Sequence, residues 1–331
     1  MTAIVTTQHQ LTELCQRLAA CPAIAFDTEF VSEHTYRPEL CLIQVAAGGE
    51  LTVIDPQPID DLTPFWELLA APGHETIVHA GREEIVFGLG AVGKPPANLF
   101  DVQLAAAFIG LEYPAGYGNL ISKLLGVTPR KGETRTDWRR RPLSDRQIDY
   151  ALEDVRHLAA MREKLHSRLV ELGRLHWFES ETATFITDID ESRRRERWRK
   201  VSGSSGLSGR GQAIVRELWL WRDREAARRN CPVRRVLRDD LIVELAKRRS
   251  ADPKQVRAVR GMERSDLVRH LPSLCQAIET ALAVPEESCP GITRRETSSQ
   301  LTMLGQFLSS ALGSICRAAE VAPSLVGSAN D

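Results

Sequence analysis

Apolar positions along the chain change their period several times, and the changes mark its elements. Leu11, Leu14, Cys15 and Leu18 recur at helical spacing and stop near Pro22, which predicts a short helix over 8–20. The apolar run Ala23-Ile24-Ala25-Phe26 follows and ends on Asp27-Thr28-Glu29, predicting a first strand over 23–30. Residues 32–39 break the pattern. Then 40–46 and, after the turn Gly48-Gly49-Glu50, 51–56 predict two more strands, and three neighbouring strands on short loops make an antiparallel meander.

Beyond residue 60 strands alternate with helices. The periodicity predicts a helix over 62–71, a strand over 76–80, a helix over 83–89 and a short strand or helix start at 98–101. Helices follow at 102–109 and 120–125, and a long one starts at Ser144, whose hydroxyl caps it, and continues to about 172. Residues 1–190 therefore form an α/β domain, a mixed sheet with flanking helices. Residues 191–211 are the basic end of a helix and a linker, because 201–211 contain four Gly and four Ser. Amphipathic segments at 212–229, 237–249, 253–260, 264–270 and 272–283 then predict an all-α bundle over 212–284. Residues 285–331 add a linker and an amphipathic helix over 299–320, expected to be part of a second helical module cut short.

The 331 residues, 43% of them hydrophobic, are enough for two cored domains. The net charge of -1 conceals an asymmetry: residues 1–190 carry 17 Lys and Arg against 27 Asp and Glu, 191–270 carry 23 against 11, and 271–331 carry 3 against 6. A basic module beside an acidic one points to one part that holds a polyanion and another that holds cations. The start lacks the charged and apolar blocks of a signal peptide, and no run approaches the ~18 apolar residues that cross a membrane, so a cytoplasmic protein is expected. Seven scattered cysteines without a C-x-x-C pair argue against a disulfide framework and a zinc site.

Chemistry enters with the carboxylates. Asp27 and Glu29 stand at i, i+2 on a strand, so both point to one face and can hold a divalent cation between them. Tyr150 and Asp154 stand at i, i+4 on a helix and stack on one of its faces. An acid there can complete a cation site. A tyrosine one turn away can orient a water for attack on a phosphodiester between two metals.

Taken together, Asp27-Thr28-Glu29-Phe30, His79-Ala80-Gly81-x-Glu83, Gly132-Glu133-Thr134-Arg135-x-Asp137-Trp138 before Arg141-Pro142-Leu143, and Tyr150-x-x-x-Asp154 resemble the ribonuclease D family in order and spacing. That family is the tyrosine-bearing subgroup of the Asp-Glu-Asp-Asp 3′-to-5′ exonucleases, and the resemblance covers about residues 4–172. Residues 212–282, with Leu218, Trp221, Arg222, Glu225 and Ala226, resemble the HRDC domain, a helical nucleic-acid-binding module. The resemblance implies a ribonuclease H-like fold and two-metal hydrolysis of RNA from its 3′ end, with nucleoside 5′-monophosphates released. The implied partners are the 3′ ends of tRNA precursors and other small structured RNAs, the implied cofactors two Mg²⁺ or Mn²⁺ ions, and the implied state a monomer. Carried over by position, Asp27 bridges both metals, Glu29 and Asp154 bind the metal that activates the water, and Tyr150 orients that water.

One position departs from the family. Glu84 stands where the second catalytic Asp is expected, and its extra methylene moves the carboxylate by about 1.5 Å. Two other readings therefore stand beside an exoribonuclease: a DNA exonuclease acting on single strands, and an RNA-binding protein whose catalysis Glu84 has weakened. Asn98-Leu99-Phe100-Asp101 imitates the second motif of the wider superfamily, but its place makes Asp101 a helix cap or supporting residue. Arg135, Arg139, Arg140 and Arg141 precede the third motif, where they can hold phosphates. In the basic domain Arg228, Arg229, Arg234 and Arg235 are the expected nucleic-acid contacts, and Trp219 and Trp221 at helical spacing are expected in the core.

Overall fold

The computed structural model describes residues 3–128, 136–291 and 299–327. The chain divides into two compact units, one of Met1–Phe30, Leu40–Arg194 and Thr297–Asp331, the other of Val31–Glu39 and Arg195–Glu296.

The first unit begins β1 (Ala3–Val5), α1 (Gln8–Leu18), β2 (Ala23–Val31), β3 (Glu39–Ala47), β4 (Glu50–Ile54), α2 (Thr63–Ala70), β5 (Glu75–Val78) and α3 (Arg82–Ala91). It continues β6 (Leu99–Asp101), α4 (Val102–Ala107), α5 (Tyr117–Leu125), α6 (Asp145–Arg156), α7 (Leu158–Glu171) and α8 (Leu175–Arg194). Among the described residues the strands form a six-stranded sheet in the order β1-β4-β3-β2-β5-β6. β3 and β4 are antiparallel, whereas β1 with β4, β2 with β5 and β5 with β6 are parallel, so the sheet is mixed as its sequence predicts.

Helices cover both faces. Ile24, Phe26, Ile43, Val45, Ile54 and Val78 pack against α1, α2 and α3 on one side, through Leu11, Phe65, Trp66 and Ile85. Ala25, Ile77 and Phe100 pack on the other against α4, α5 and α7, with Val155 of α6 in the same cluster. α8 joins both layers, Phe178 in one cluster and Ile189 in the other. Each large side chain buried in these layers contributes about 1.5–3 kcal/mol.

The long helix predicted from Ser144 is broken at His157. Tyr117 of α5 inserts its hydroxyl there, donating to the Glu153 carbonyl (2.8 Å) and accepting from the His157 N–H (3.3 Å), a local cause of the kind that kinks helices. Ser144 caps α6 as expected, in a capping box with Gln147. β1 has only three residues, too few for a periodicity signal, and joins the edge by pairing Ile4 with Val53.

The second unit contains α9 (Gly209–Arg229), α10 (Val233–Val236), α11 (Asp239–Arg248), α12 (Pro253–Arg257), α13 (Ser265–Arg269) and α14 (Leu271–Ala283). Trp198, Val201, Ile214, Leu218, Trp221, Ile242, Leu274 and Ile278 build its core, with Trp219 packed against it, as the helical spacing of the tryptophans implies. Arg222 is buried and donates to Asp239 at 2.6 Å and to the Leu237 carbonyl at 3.0 Å. Within the Gly- and Ser-rich stretch, Val201 and Ser204 are buried. The Tyr36 hydroxyl donates to Asp223 at 2.8 Å, consistent with the grouping of Val31–Glu39 in this unit.

α15 (Ser299–Ala318) and α16 (Pro323–Val326) belong to the first unit. The Ala322 N–H donates to the Ala107 carbonyl at 2.8 Å, and Arg168 pairs with Glu320 at 2.8 Å. Among the described residues the seven cysteines form no disulfide, and Cys41 and Cys316 are buried. Among the described residues no helix is long and apolar enough to cross a membrane.

Candidate active site

Strand alternation on β2 decides where the first acids go. Asp27 and Glu29 follow Ala25 to the face on which Val155 of α6 packs, and Thr28 follows Phe26 to the face covered by α3. From α6, Asp154 and Tyr150 join Asp27 and Glu29. Glu84 sits in the first turn of α3 and approaches from the opposite face, where the Thr28 hydroxyl donates to its Oε1 at 2.6 Å.

The four acids feel one another. Burial raises Asp27 well above its ordinary 3.8, and Glu84, Asp154 and Glu29 raise it further, against a hydrogen bond from the Thr28 backbone. Glu29 is pushed up to about 8 by burial and then by Asp154 and Glu84. Burial takes Glu84 to about 7, with the Thr28 hydroxyl acting the other way, and Asp154 to about 6. Among the described residues no Lys, Arg or His is among the main causes of these shifts. Tyr150 belongs to the same cluster: burial and then Asp154, Glu29 and Asp27 push its phenol up. Trp138 stacks on the Tyr150 ring at 6.2 Å and 23°, fixing its orientation.

Clustered, partly desolvated carboxylates without a cationic side chain are complementary to a cation, and an all-oxygen set suits Mg²⁺ or Mn²⁺. Among the described residues no three His, Cys, Asp or Glu side chains already converge at ligand distance, so the fit rests on charge and burial. It has a thermodynamic consequence. The folded values of Glu29, Glu84 and Asp154 lie above their ordinary 4.5, 4.5 and 3.8, so the stability they confer is full at low pH and lost as pH rises through about 6 to 8. In EDTA the melting temperature of the first unit is expected to fall from about pH 5 to about pH 8.5, and Mn²⁺ is expected to reverse the fall, most at the alkaline end. A flat or rising profile in EDTA would contradict this charge balance.

The turn from β5 into α3 is held by Asp101, which is 2% exposed. Its carboxylate accepts from the N–H groups of Ala80 (3.1 Å) and Gly81 (2.9 Å) and caps α4 through Gln103 (2.8 Å) and Leu104 (3.4 Å). Asp101 is thus the cap and support that its place in the sequence implies. Ala80 is left-handed at φ 55°, and a Cβ on Gly81 would lie 2.4 Å from Cγ2 of Val78, so the turn accepts little else. Nε2 of His79 pairs with the Ala115 carbonyl at 2.9 Å.

The basic residues have mixed placements. Arg135 lies outside the described residues. Arg139 pairs with Asp137 at 3.0 Å, and Arg140, its side chain 85% exposed, lies 3.9 Å from the same acid. Arg141 is structural, donating to Asp55 at 2.5 and 2.7 Å and to the Cys41 carbonyl at 2.8 Å. In the helical unit Arg228 and Arg229 both pair with Glu225, Arg234 lies 3.9 Å from Asp239, and Arg228, Arg234 and Arg235 are exposed. Sequence reading missed Thr28, Tyr117 and Asp55 as supports. Only Thr28, inside the Asp27-Thr28-Glu29 motif, carried a signal.

The model of a 3′-5′ exonuclease domain matches residues 2–170, and that of the HRDC domain matches 211–278. Ribonuclease D of Gluconacetobacter diazotrophicus is 35% identical over 335 residues, covering 99% of this chain and 84% of that protein. The chain belongs to the ribonuclease D family. The crystal structure of Escherichia coli RNase D, an exoribonuclease involved in structured RNA processing, superposes with a TM-score of 0.87 at 30% identity, covering 100% of this chain and 88% of that one. Brucella melitensis NrnC with bound Mg²⁺ shares the fold at a TM-score of 0.50 and 24% identity, covering 60% of this chain and 96% of that one. Membership of the ribonuclease D family makes the chain a 3′-to-5′ exoribonuclease with an HRDC domain.

Proposed function

We propose that the enzyme trims the 3′ ends of tRNA precursors and other small structured RNAs by two-metal phosphodiester hydrolysis, releasing nucleoside 5′-monophosphates, as a cytoplasmic monomer. The observation that carries this reading is the cluster of Asp27, Glu29, Glu84 and Asp154, whose proton affinities are raised with no cationic side chain among the main causes. These four would hold two divalent cations, Mg²⁺ or Mn²⁺. Bound there, the cations supply neutralisation of the scissile phosphate and a lowered pKa for water. Asp27, raised by all three of the other acids, would be a ligand common to the site. Glu29 and Asp154, grouped with Tyr150, would hold a cation that activates the attacking water. The Tyr150 hydroxyl stays protonated beside those acids, so it can orient that water by donating to it or accepting from it. Arg139 and Arg140 lie near this site in sequence order and hold RNA phosphates, while Arg228, Arg229, Arg234 and Arg235 of the HRDC domain hold RNA upstream. Two-metal hydrolysis acts on the phosphodiester, which RNA and DNA share, so single-stranded DNA is the competing substrate.

The test is a 5′-labelled RNA with a single-stranded 3′ extension beyond a stable stem, incubated with Mn²⁺, Mg²⁺ or EDTA beside a matched DNA. The expected result is shortening one nucleotide at a time, mononucleotide release, none of it in EDTA, and slower loss of the DNA. Full-length RNA under every metal, with salt-sensitive binding kept, would leave only an RNA-binding protein.

A further inference from the structure

We propose that Thr28 is the positioning residue for Glu84, and that the longer acid of this chain works because the threonine hydroxyl grips it beyond the end of β5. The inference rests on the reading that Glu84 and Asp27 share a divalent cation.

Three observations carry it. Glu84 comes from the wrong side: α3 packs through Ile85 and Leu89 on the face opposite the one to which Asp27 and Glu29 point. Its carboxylate reaches β2 beyond the end of β5, past the Ala25–Ile77 pair, and the added methylene supplies about 1.5 Å of that reach. Secondly, the residue it meets there is Thr28, buried like Glu84 itself (5% and 4% exposed), and the contact is a 2.6 Å hydrogen bond to Oε1. The carboxylate also accepts from its own backbone N–H, and its remaining lone pairs are those left for a cation.

The third observation explains why Glu84 is free to make this bond. It occupies the third position of α3, where a glutamate commonly folds back onto the N–H of the capping residue. Here the capping residue is Gly81, and its N–H is already taken by Asp101 at 2.9 Å. Asp101 thereby releases Glu84 from a capping role. Thr28 gives it another anchor, on the strand that carries the other two acids.

Substitutions separate a grip from ordinary packing. Thr28→Val keeps the shape and removes the donor, Thr28→Ser keeps the donor, and Glu84→Asp withdraws the acceptor. Mn²⁺ binding by titration calorimetry is the main readout, with single-turnover cleavage beside it. A hydrogen bond to a charged group is worth enough to weaken the more weakly held Mn²⁺ by about ten- to a hundred-fold in Thr28→Val. Thr28→Ser should stay close to the wild type, and in a Glu84→Asp background Thr28→Val should have little further effect. Equal Mn²⁺ binding by Thr28→Val and wild type overturns the proposal, and so does a loss shared by Thr28→Ser or persisting in Glu84→Asp. Thr28→Cys, close in shape and a weak donor, replaces the valine variant should that one not fold. A wild type that binds no Mn²⁺ at all sinks the cation-site reading instead.

Discussion

Asp27→Asn is expected to stop cleavage while sparing the fold. The substitution keeps the shape of the side chain and removes the charge that the other three acids surround. Cation-supplied stabilisation of a phosphoryl transition state amounts to several kcal/mol, so losing the shared ligand should lower kcat by about a thousand-fold. RNA affinity should hardly change, because the arginines proposed to hold RNA lie elsewhere in the chain. Stability should move the other way. Ionised Asp27 is disfavoured by burial and by three like charges, so at about pH 8 in EDTA the asparagine variant should melt above the wild type. Loss of activity together with a gain in metal-free stability is the signature of a site built for a cation. Undiminished turnover would place the chemistry elsewhere.

Asp101→Ala should damage both stability and catalysis. Four backbone N–H groups lose their acceptor at once, in a buried place where water does not replace it. Hydrogen bonds to a charged group and the cost of unsatisfied buried donors together amount to about 3–5 kcal/mol, a fall of about 10 °C or more in melting temperature. The turn at Ala80 and Gly81 is then free to relax, and Glu84 moves with it. Misplacement of a reacting group by about 1 Å costs on the order of 100-fold in rate, so the folded fraction should also be slow. Asp101→Asn, which keeps one acceptor oxygen, should fall between the two. A variant that melts within about 2 °C of wild type and cleaves normally would show that Asp101 holds nothing that matters.

Much of this site was legible in the sequence because local periodicity fixes direction. The i, i+2 spacing of Asp27 and Glu29 and the i, i+4 spacing of Tyr150 and Asp154 assign faces without knowledge of the fold. Glu84 is different. Its approach from the opposite face depends on β5 lying beside β2 and on α3 packing with Phe26, and neither follows from spacing. The break at His157 was hidden for a similar reason: helical periodicity continues across it, and its cause, Tyr117, lies 40 residues away in sequence. Composition misleads at 201–211, where Gly and Ser suggest an unpacked linker although Val201 and Ser204 are buried. Of the arginines, sequence order could not tell Arg141, locked on Asp55, from the exposed Arg140.

The central claim is that Asp27, Glu29, Glu84 and Asp154 together bind the cations of the exoribonuclease. A crystal structure of the full chain grown with Mn²⁺, with anomalous data collected at the manganese edge, tests it most directly. Two anomalous peaks are expected, one ligated by Asp27, Glu29 and Asp154, the other by Asp27 and, directly or through water, by Glu84 still bonded to Thr28. Peaks absent from Asp27, or a Glu84 turned away from the second ion, would contradict it.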